Sequence, residues 1–160
     1  MLKKIVSGGQ TGVDRGALDA ALPRGFPCGG YCPAGRRAED GRIPARYPLE
    51  ELSSPHYQVR TRRNVEESDG TLIISPEPLG GGTLLTAGHA TKTGQPCIVI
   101  PPEYPLVRPE SERLACWTKD HGIAVLNVAG PRASATPDIH AIAEAIVGWL
   151  IENTTAASRS

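Results

Sequence analysis

Leu2-Lys3-Lys4-Ile5-Val6-Ser7-Gly8-Gly9-Gln10-Thr11-Gly12-Val13-Asp14-Arg15-Gly16-Ala17-Leu18 passes from an apolar strand, through a glycine loop, into an amphipathic helix. Residues 2–6 have the character of a short strand, and Val13, Ala17, Leu18, Ala21 and Leu22 recur at helical spacing as far as a stop signal at Gly25. Thr11 with Asp14 three residues on has the pattern of a capping box, aspartate standing in the usual glutamate place. A strand that turns over glycines into a helix aims the helix's unpaired first amides, and the positive end of its dipole, at whatever sits beyond the strand. Glycine lets that backbone take positive φ and approach a ligand without a Cβ between them. Ser7-Gly8-Gly9-Gln10-Thr11-Gly12 is therefore a candidate anion site.

The same unit recurs downstream. Thr71-Leu72-Ile73-Ile74-Ser75 reads as a buried strand, followed by Leu79-Gly80-Gly81-Gly82-Thr83 and a helix to about residue 93. Cys97-Ile98-Val99-Ile100 is a further strand, stopped by Pro101 and Pro102; a helix over about 110–121 ends at Gly122. Ile123 to Val128 is the next strand. A third shaped loop, Ala129-Gly130-Pro131-Arg132-Ala133-Ser134, leads to a last helix opened by Thr136 as N-cap and Pro137 at its first position. Between the first and second units, Cys28 to Cys32 reads as a short strand and residues 61–69 as a short polar helix. Pro33 to Pro48 carries four arginines and little apolar content, a long loop of the functional or mobile kind. Near-continuous apolar strands alternating with helices predict a three-layer, Rossmann-like, doubly wound α/β fold with a mostly parallel sheet. One domain over 1–153 with a disordered polar tail over 154–160 is expected.

Composition narrows the function classes. The 160 residues hold 17 basic and 17 acidic side chains, and this zero net charge argues against a nucleic-acid partner. No apolar run reaches the roughly 20 residues that span a bilayer, and the amino terminus lacks a signal-peptide core. A cytoplasmic protein without a membrane partner is expected, with Cys28, Cys32, Cys97 and Cys116 as reduced thiols. Eighteen glycines and fifteen prolines gather in the loops between periodic segments rather than in low-complexity tracts.

Two glycine loops at the ends of separate strands suggest a shared ligand crevice, where loops leaving the carboxyl ends of parallel strands converge. Arg36 and Arg37, beside Glu39, Asp40 and Arg42, offer forks that match phosphate or carboxylate oxygens. Arg60, Arg62 and Arg63 read instead as exposed helix charges. Asp69, just before a strand, could hold a ribose-type hydroxyl or cap a turn. Asn127 and Arg132 flank the third loop. No Gly-Lys-Ser/Thr ends either glycine loop, and no dinucleotide-binding glycine pattern is followed by its acidic residue, which disfavours ordinary nucleotide hydrolysis and NAD binding. Cys28-x-x-x-Cys32 lacks a second pair, and His56, His89, His121 and His140 are scattered. With no nucleophile–base pair in evidence, binding is favoured over turnover.

Ser7-Gly8-Gly9-Gln10-Thr11-Gly12-Val13-Asp14-Arg15, Cys32-Pro33-Ala34-Gly35-Arg36-Arg37-Ala38-Glu39-Asp40-Gly41, Arg62-Arg63-Asn64-Val65, Ser68-Asp69-Gly70-Thr71, Gly81-Gly82-Thr83 and Leu126-Asn127-Val128-Ala129-Gly130-Pro131-Arg132 together resemble the molybdenum (molybdenum cofactor) carrier family. The likeness runs from residue 4 to about 150. That family is Rossmann-like and belongs to the circularly permuted YpsA-type branch of a nucleotide-binding superfamily. The resemblance implies a homo-oligomer, dimer or tetramer, that holds the molybdenum cofactor (a phosphate-bearing molybdopterin) and delivers it to molybdoenzyme recipients. It implies a site at Gly8, Gly9, Gln10, Thr11, Gly12, Arg36, Arg37, Asp69, Gly81, Gly82 and Thr83, with no catalytic residue and no metal ligand. The same superfamily contains nucleoside-monophosphate phosphoribohydrolases, whose signature Pro78-Leu79-Gly80-Gly81-Gly82-Thr83-Leu84-Leu85-Thr86 parallels with Thr86 in place of the glutamate. Threonine cannot take that carboxylate's charge role, so a hydrolase, or a sensor of a nucleotide-derived ligand, is the alternative. Glu39, Asp40 or Asp69 would then have to supply the charge from another loop.

Overall fold

The computed structural model describes residues 1–156. In chain order its elements are β1 (Lys4–Val6), α1 (Val13–Ala21), β2 (Cys28–Gly29), β3 (Tyr31–Cys32), β4 (Arg37–Ala38), β5 (Gly41–Arg42), β6 (Glu50–Glu51), α2 (Tyr57–Glu66), β7 (Gly70–Ile74), α3 (Gly81–Thr93), β8 (Cys97–Ile100), α4 (Arg108–Asp120), β9 (Val125–Ala129) and α5 (Ile139–Ala156). The main sheet has the order β2-β1-β9-β7-β8, with every neighbouring pair parallel. Ile5 lies beside Leu126, and Leu72 lies beside both Val128 and Ile98. If β9 were counted as the first strand, this order would be 3-2-1-4-5, that of a doubly wound sheet. The central strand of the sheet is thus the last strand among the described residues.

The apolar runs form strands because both faces of the sheet are covered. Ile5, Leu72, Ile74, Ile98, Ile100, Leu126 and Val128 are buried with Val13, Ala17 and Ala21 of α1 and with Ala143, Ile146, Val147 and Leu150 of α5. Each large aliphatic contributes about 1.5–3 kcal/mol by leaving water. Helices α1 and α5 lie against each other, and α2 lies against α3. Right-handed crossovers place these two pairs on opposite faces of the sheet. Gly16 sets the closeness of the first pair, since a Cβ there would stand 2.5 Å from the His140 carbonyl oxygen.

The long segment after β2 is not an open loop. Cys32, Ala38, Ile43 and Tyr47 form a second core against Leu18 of α1. Two short ladders, β3–β6 parallel and β4–β5 antiparallel, knit the segment together. The backbone of Arg36 is left-handed (φ 52°), and its guanidinium donates to the carbonyls of Ile43 (3.1 Å), Pro44 (2.8 Å) and Tyr47 (3.0 Å). The expected arginine clamp is therefore half committed to holding its own chain.

Some boundaries move. Helix α2 begins at Tyr57, four residues before the expected polar helix. Helix α5 begins at Ile139, because Asp138 is left-handed (φ 62°) and its carbonyl accepts from the Ile142 amide. Thr136 and Pro137 lie in the preceding turn and are not the helix's N-cap and first position. The same helix continues through Ala156, beyond the expected boundary at 153; the rest of the expected tail, 157–160, lies outside the described residues.

Gly30 sits at φ 127°, with the Ser7 carbonyl oxygen 2.1 Å from where its Cβ would be. Gly94 is also at positive φ (68°) but has nothing within 4 Å. Gly94→Ala should cost about 1–2 kcal/mol, the price of left-handed backbone alone, and Gly30→Ala should cost at least about 3 kcal/mol. Equal losses in urea unfolding would show that the contact between β1 and the Gly30 turn is not tight.

Candidate functional site

A cleft of about 440 Å³ opens at the carboxyl ends of β1, β7 and β9. One wall is the loop after β1 with α2, the facing wall is the amino end of α3, and the floor is the chain from Asn127 to Arg132. Gly130 lets this floor pass close beneath, since a Cβ there would meet the Ile74 carbonyl at 2.3 Å.

Much of the loop after β1 is bonded to its own protein. The Gln10 amide donates to Asp14 Oδ2 (3.2 Å), the Thr11 amide to Gln10 Oε1 (3.1 Å) and the Val13 amide to the Pro131 carbonyl (3.2 Å). Its carbonyls are held as firmly. Arg60 donates from Nη1 to Gly8 (2.8 Å), and Arg15 from Nε to Gly9 (2.9 Å) while forking onto both Asp40 oxygens (2.6 and 2.8 Å). The N-cap of α1 is Gly12, without a side-chain cap, so the expected Thr11–Asp14 capping box does not form. Instead Asp14 reaches back over the loop, and the Thr11 hydroxyl bonds to Glu39 and accepts from the Ala133 amide (3.1 Å). The glycines follow from crowding by the protein itself. A Cβ on Gly8 would strike the Arg60 side chain at 2.4 Å, one on Gly9 the Leu49 side chain at 2.4 Å, and one on Gly12 the Pro131 carbonyl at 2.3 Å.

The facing wall is the reverse case. The N-cap of α3 is Gly80, which supplies no capping side chain, so the helix's first amides at Gly81, Gly82 and Thr83 lack intrahelical acceptors. Cβ atoms on Gly80, Gly81 or Gly82 would meet nothing within 4 Å. The cleft thus has one anion-ready wall, and it is the second glycine loop.

Charge at the mouth comes from α2 and the third loop. Arg60 is buried, 7% exposed, and not the exposed helix charge that its neighbours suggest. Arg60 and Arg132 stand over the Tyr57 ring, 5.4 and 5.6 Å from its centroid, and both line the cleft. Asp14 is the buried carboxyl among them, 4.0 Å from Arg60 Nη1. Burial pushes its carboxyl up to about 6, against the opposing pull of Arg60 and of the Gln10 amide.

Of the residues singled out from the sequence, Gly8, Gln10, Gly81, Gly82 and Thr83 line the cleft. Gly9, Thr11 and Gly12 shape the loop from behind. Arg36 belongs to the second core, and Arg37 lies outside, stacked on Tyr57 (4.7 Å) and donating to the Pro55 carbonyl (3.3 Å). Asp69 is at the opposite edge of the sheet, where its Oδ2 accepts from the Ala124 (3.1 Å) and Val125 (2.8 Å) amides at the start of β9. Glu39 and Asp40 are committed as well. Glu39 is held low by the Ser134 and Thr11 hydroxyls, and Asp40 by the Arg15 fork. Asp14 and Arg60 were hidden because their sequence neighbours fit a helix cap and a solvated helix face.

Residues 5–151 match the family described as the circularly permutated YpsA SLOG family. A solved structure from Syntrophus aciditrophicus SB, described as a putative molybdenum carrier protein, is 43% identical. It superposes with a TM-score of 0.89, covering 94% of this chain and 95% of that one. No curated protein matches the chain.

Arg36→Met would remove the guanidinium's bonds to the Ile43, Pro44 and Tyr47 carbonyls, leaving Ile43 without its donor, and should destabilise the protein by about 2–4 kcal/mol in urea, without weakening ligand binding in the cleft. A binding loss with full stability would return Arg36 to the site. Asp14 gives a pH test. The folded protein keeps its proton up to about pH 6, whereas an unfolded carboxyl releases it near 3.8. Its contribution to stability is therefore present below about pH 4 and lost as pH rises through 6, an effect on the order of 3 kcal/mol. Asp14→Asn, which stays neutral, should gain stability relative to the parent between pH 4 and 7. A gap that does not change with pH would contradict this.

Proposed function

The chain belongs to the circularly permuted YpsA SLOG family, and we propose that its cleft carries a phosphate-bearing small molecule, the molybdenum cofactor, with the phosphate seated on the amino end of α3. The observation that carries this reading is the uncapped, uncrowded start of α3 facing a cleft whose opposite wall is largely bonded to its own protein. Backbone amides at a helix start, reinforced by the helix dipole, suit a phosphate. The Thr83 side chain, buried at that end, stands beside it. Arg60 and Arg132 add positive charge across the cleft, and the volume falls within the roughly 300–1,000 Å³ of small-molecule sites. The choice of cargo rests on the description of the Syntrophus aciditrophicus protein. Among the described residues no cysteine or histidine lines the cleft, so the metal would travel on the cofactor's own sulfurs. Delivery to molybdoenzymes from a homo-oligomeric, cytoplasmic carrier completes the reading.

Holding rather than turnover is supported by Thr86, which lines the cleft with its hydroxyl donating to the Gly82 carbonyl (2.9 Å). One observation favours the second reading, a nucleoside-monophosphate hydrolase or sensor. Asp14 places a carboxyl in the cleft with a proton affinity near neutrality, suited to general acid–base work.

The purified protein, mixed with cofactor released from a molybdoenzyme, should retain it through gel filtration and slow its oxidative decay. Elution of the bare protein, or release of free base from nucleoside monophosphates in a parallel assay, would overturn the carrier reading. Gly82→Asp puts a carboxylate where the phosphate goes, in space that is open. Binding should fall at least about tenfold with unchanged thermal unfolding, since a like charge at a helix start opposes the anion. Unaltered affinity would move the phosphate away from α3.

A further inference from the structure

The wall opposite α3 describes the other end of the ligand. Gln10 is 6% exposed, and its Oε1 accepts from the amides of Thr11 (3.1 Å) and Glu39 (2.9 Å). Two backbone donors on one atom fix the orientation of the side-chain amide. Its Nε2 is then buried with no partner, in a residue that lines the cleft. An N–H₂ left unpaired in a protein interior costs about 1–3 kcal/mol, and native structures leave few. Beside it, the backbone amide of the same residue donates to Asp14 Oδ2, and the Asp14 side chain keeps 12% of its surface exposed. One wall thus holds a fixed, unpaired donor, closed to water, near a carboxylate acceptor.

We infer that Gln10 and Asp14 read the 2-amino-4-oxo-pyrimidine edge of a fused ring, the edge that pterins and guanine share. That edge presents, in order, a carbonyl acceptor, a ring N–H and an exocyclic amine. Gln10 Nε2 donates to the carbonyl, and the Asp14 carboxylate accepts from the two N–H groups in the paired manner that carboxylates favour. The charged groups facing Asp14 are Arg60 from α2 and Arg15 from α1. With its titration near pH 6, Asp14 is mostly ionised above pH 7, and ligand N–H groups replace the hydration that burial removed. Adenine offers the wrong order of donors, and hypoxanthine lacks the amine. The inference rests on the proposed phosphate seat at α3, which sets the far end of the same ligand.

Calorimetric titration at pH 7.5 with GMP, IMP, AMP, neopterin monophosphate and inorganic phosphate tests it. GMP or neopterin monophosphate should bind at least about tenfold more tightly than IMP and AMP, because a buried carboxylate denied its partners is costly. Whichever of the two binds more tightly identifies the source of the edge. Gln10→Glu keeps both backbone acceptor bonds, replaces the unpartnered N–H₂ with an oxygen and sets a second acid beside Asp14, so it is read against inorganic phosphate. It should weaken the preferred ligand at least about tenfold more than it weakens phosphate, in protein whose thermal unfolding stays cooperative. Asp14→Asn, its fold checked the same way, should bring the GMP-to-IMP ratio towards one. Equal affinity for all four organic ligands, with phosphate still bound, overturns the edge reading alone. Failure to bind any of the five overturns the phosphate seat along with it.

Discussion

Asp14 lies buried in the cleft wall that the first glycine loop forms, with one oxygen on the Gln10 amide and Arg60 at the edge of ion-pair distance. Much of the rest follows from this contact. An acid in that place occupies the position that an external anion would take in an ordinary glycine-loop site. Two arginines then become free to hold the loop's carbonyls at Gly8 and Gly9 rather than a ligand. The loop becomes a rigid wall, and the helix start left open to solvent is that of α3.

The sheet explains why two walls that look alike in sequence behave differently. Both loops leave the carboxyl ends of parallel strands, β1 and β7, on either side of β9. The chain from Gly130 to Ser134 crosses the β1 side, where Pro131 accepts from Val13, and the Ser134 hydroxyl donates to Glu39 (2.6 Å). These contacts close the first loop from behind and above. On the β7 side nothing among the described residues crosses the glycines, so their lack of side chains leaves room for something else.

The fold was legible in the sequence because it rests on local signals. The apolar runs at β7, β8 and β9, the helical spacing after each loop, and the stops at Gly25 and Gly122 each reflect one element's own chemistry. The site was half legible. Gln10 and Gly81 to Thr83 could be read from the glycine motifs. Arg36, Arg37 and Asp69 could not be assigned, because an arginine that grips carbonyls of residues 43–47 looks the same in sequence as one awaiting a phosphate. Nor does the sequence show that Asp69 lies at the wrong edge of the sheet. Arg60 was missed because its depth depends on Gly8, 52 residues away, being too small to exclude it.

The central claim is that the anion sits at α3 and not at the loop after β1. Amide chemical shifts recorded during a titration with inorganic phosphate test it most directly. The account predicts saturable shifts at Gly81, Gly82 and Thr83, with the amides of Gly9, Gln10 and Thr11 little changed. Shifts confined to residues 8–12, with α3 silent, would contradict it.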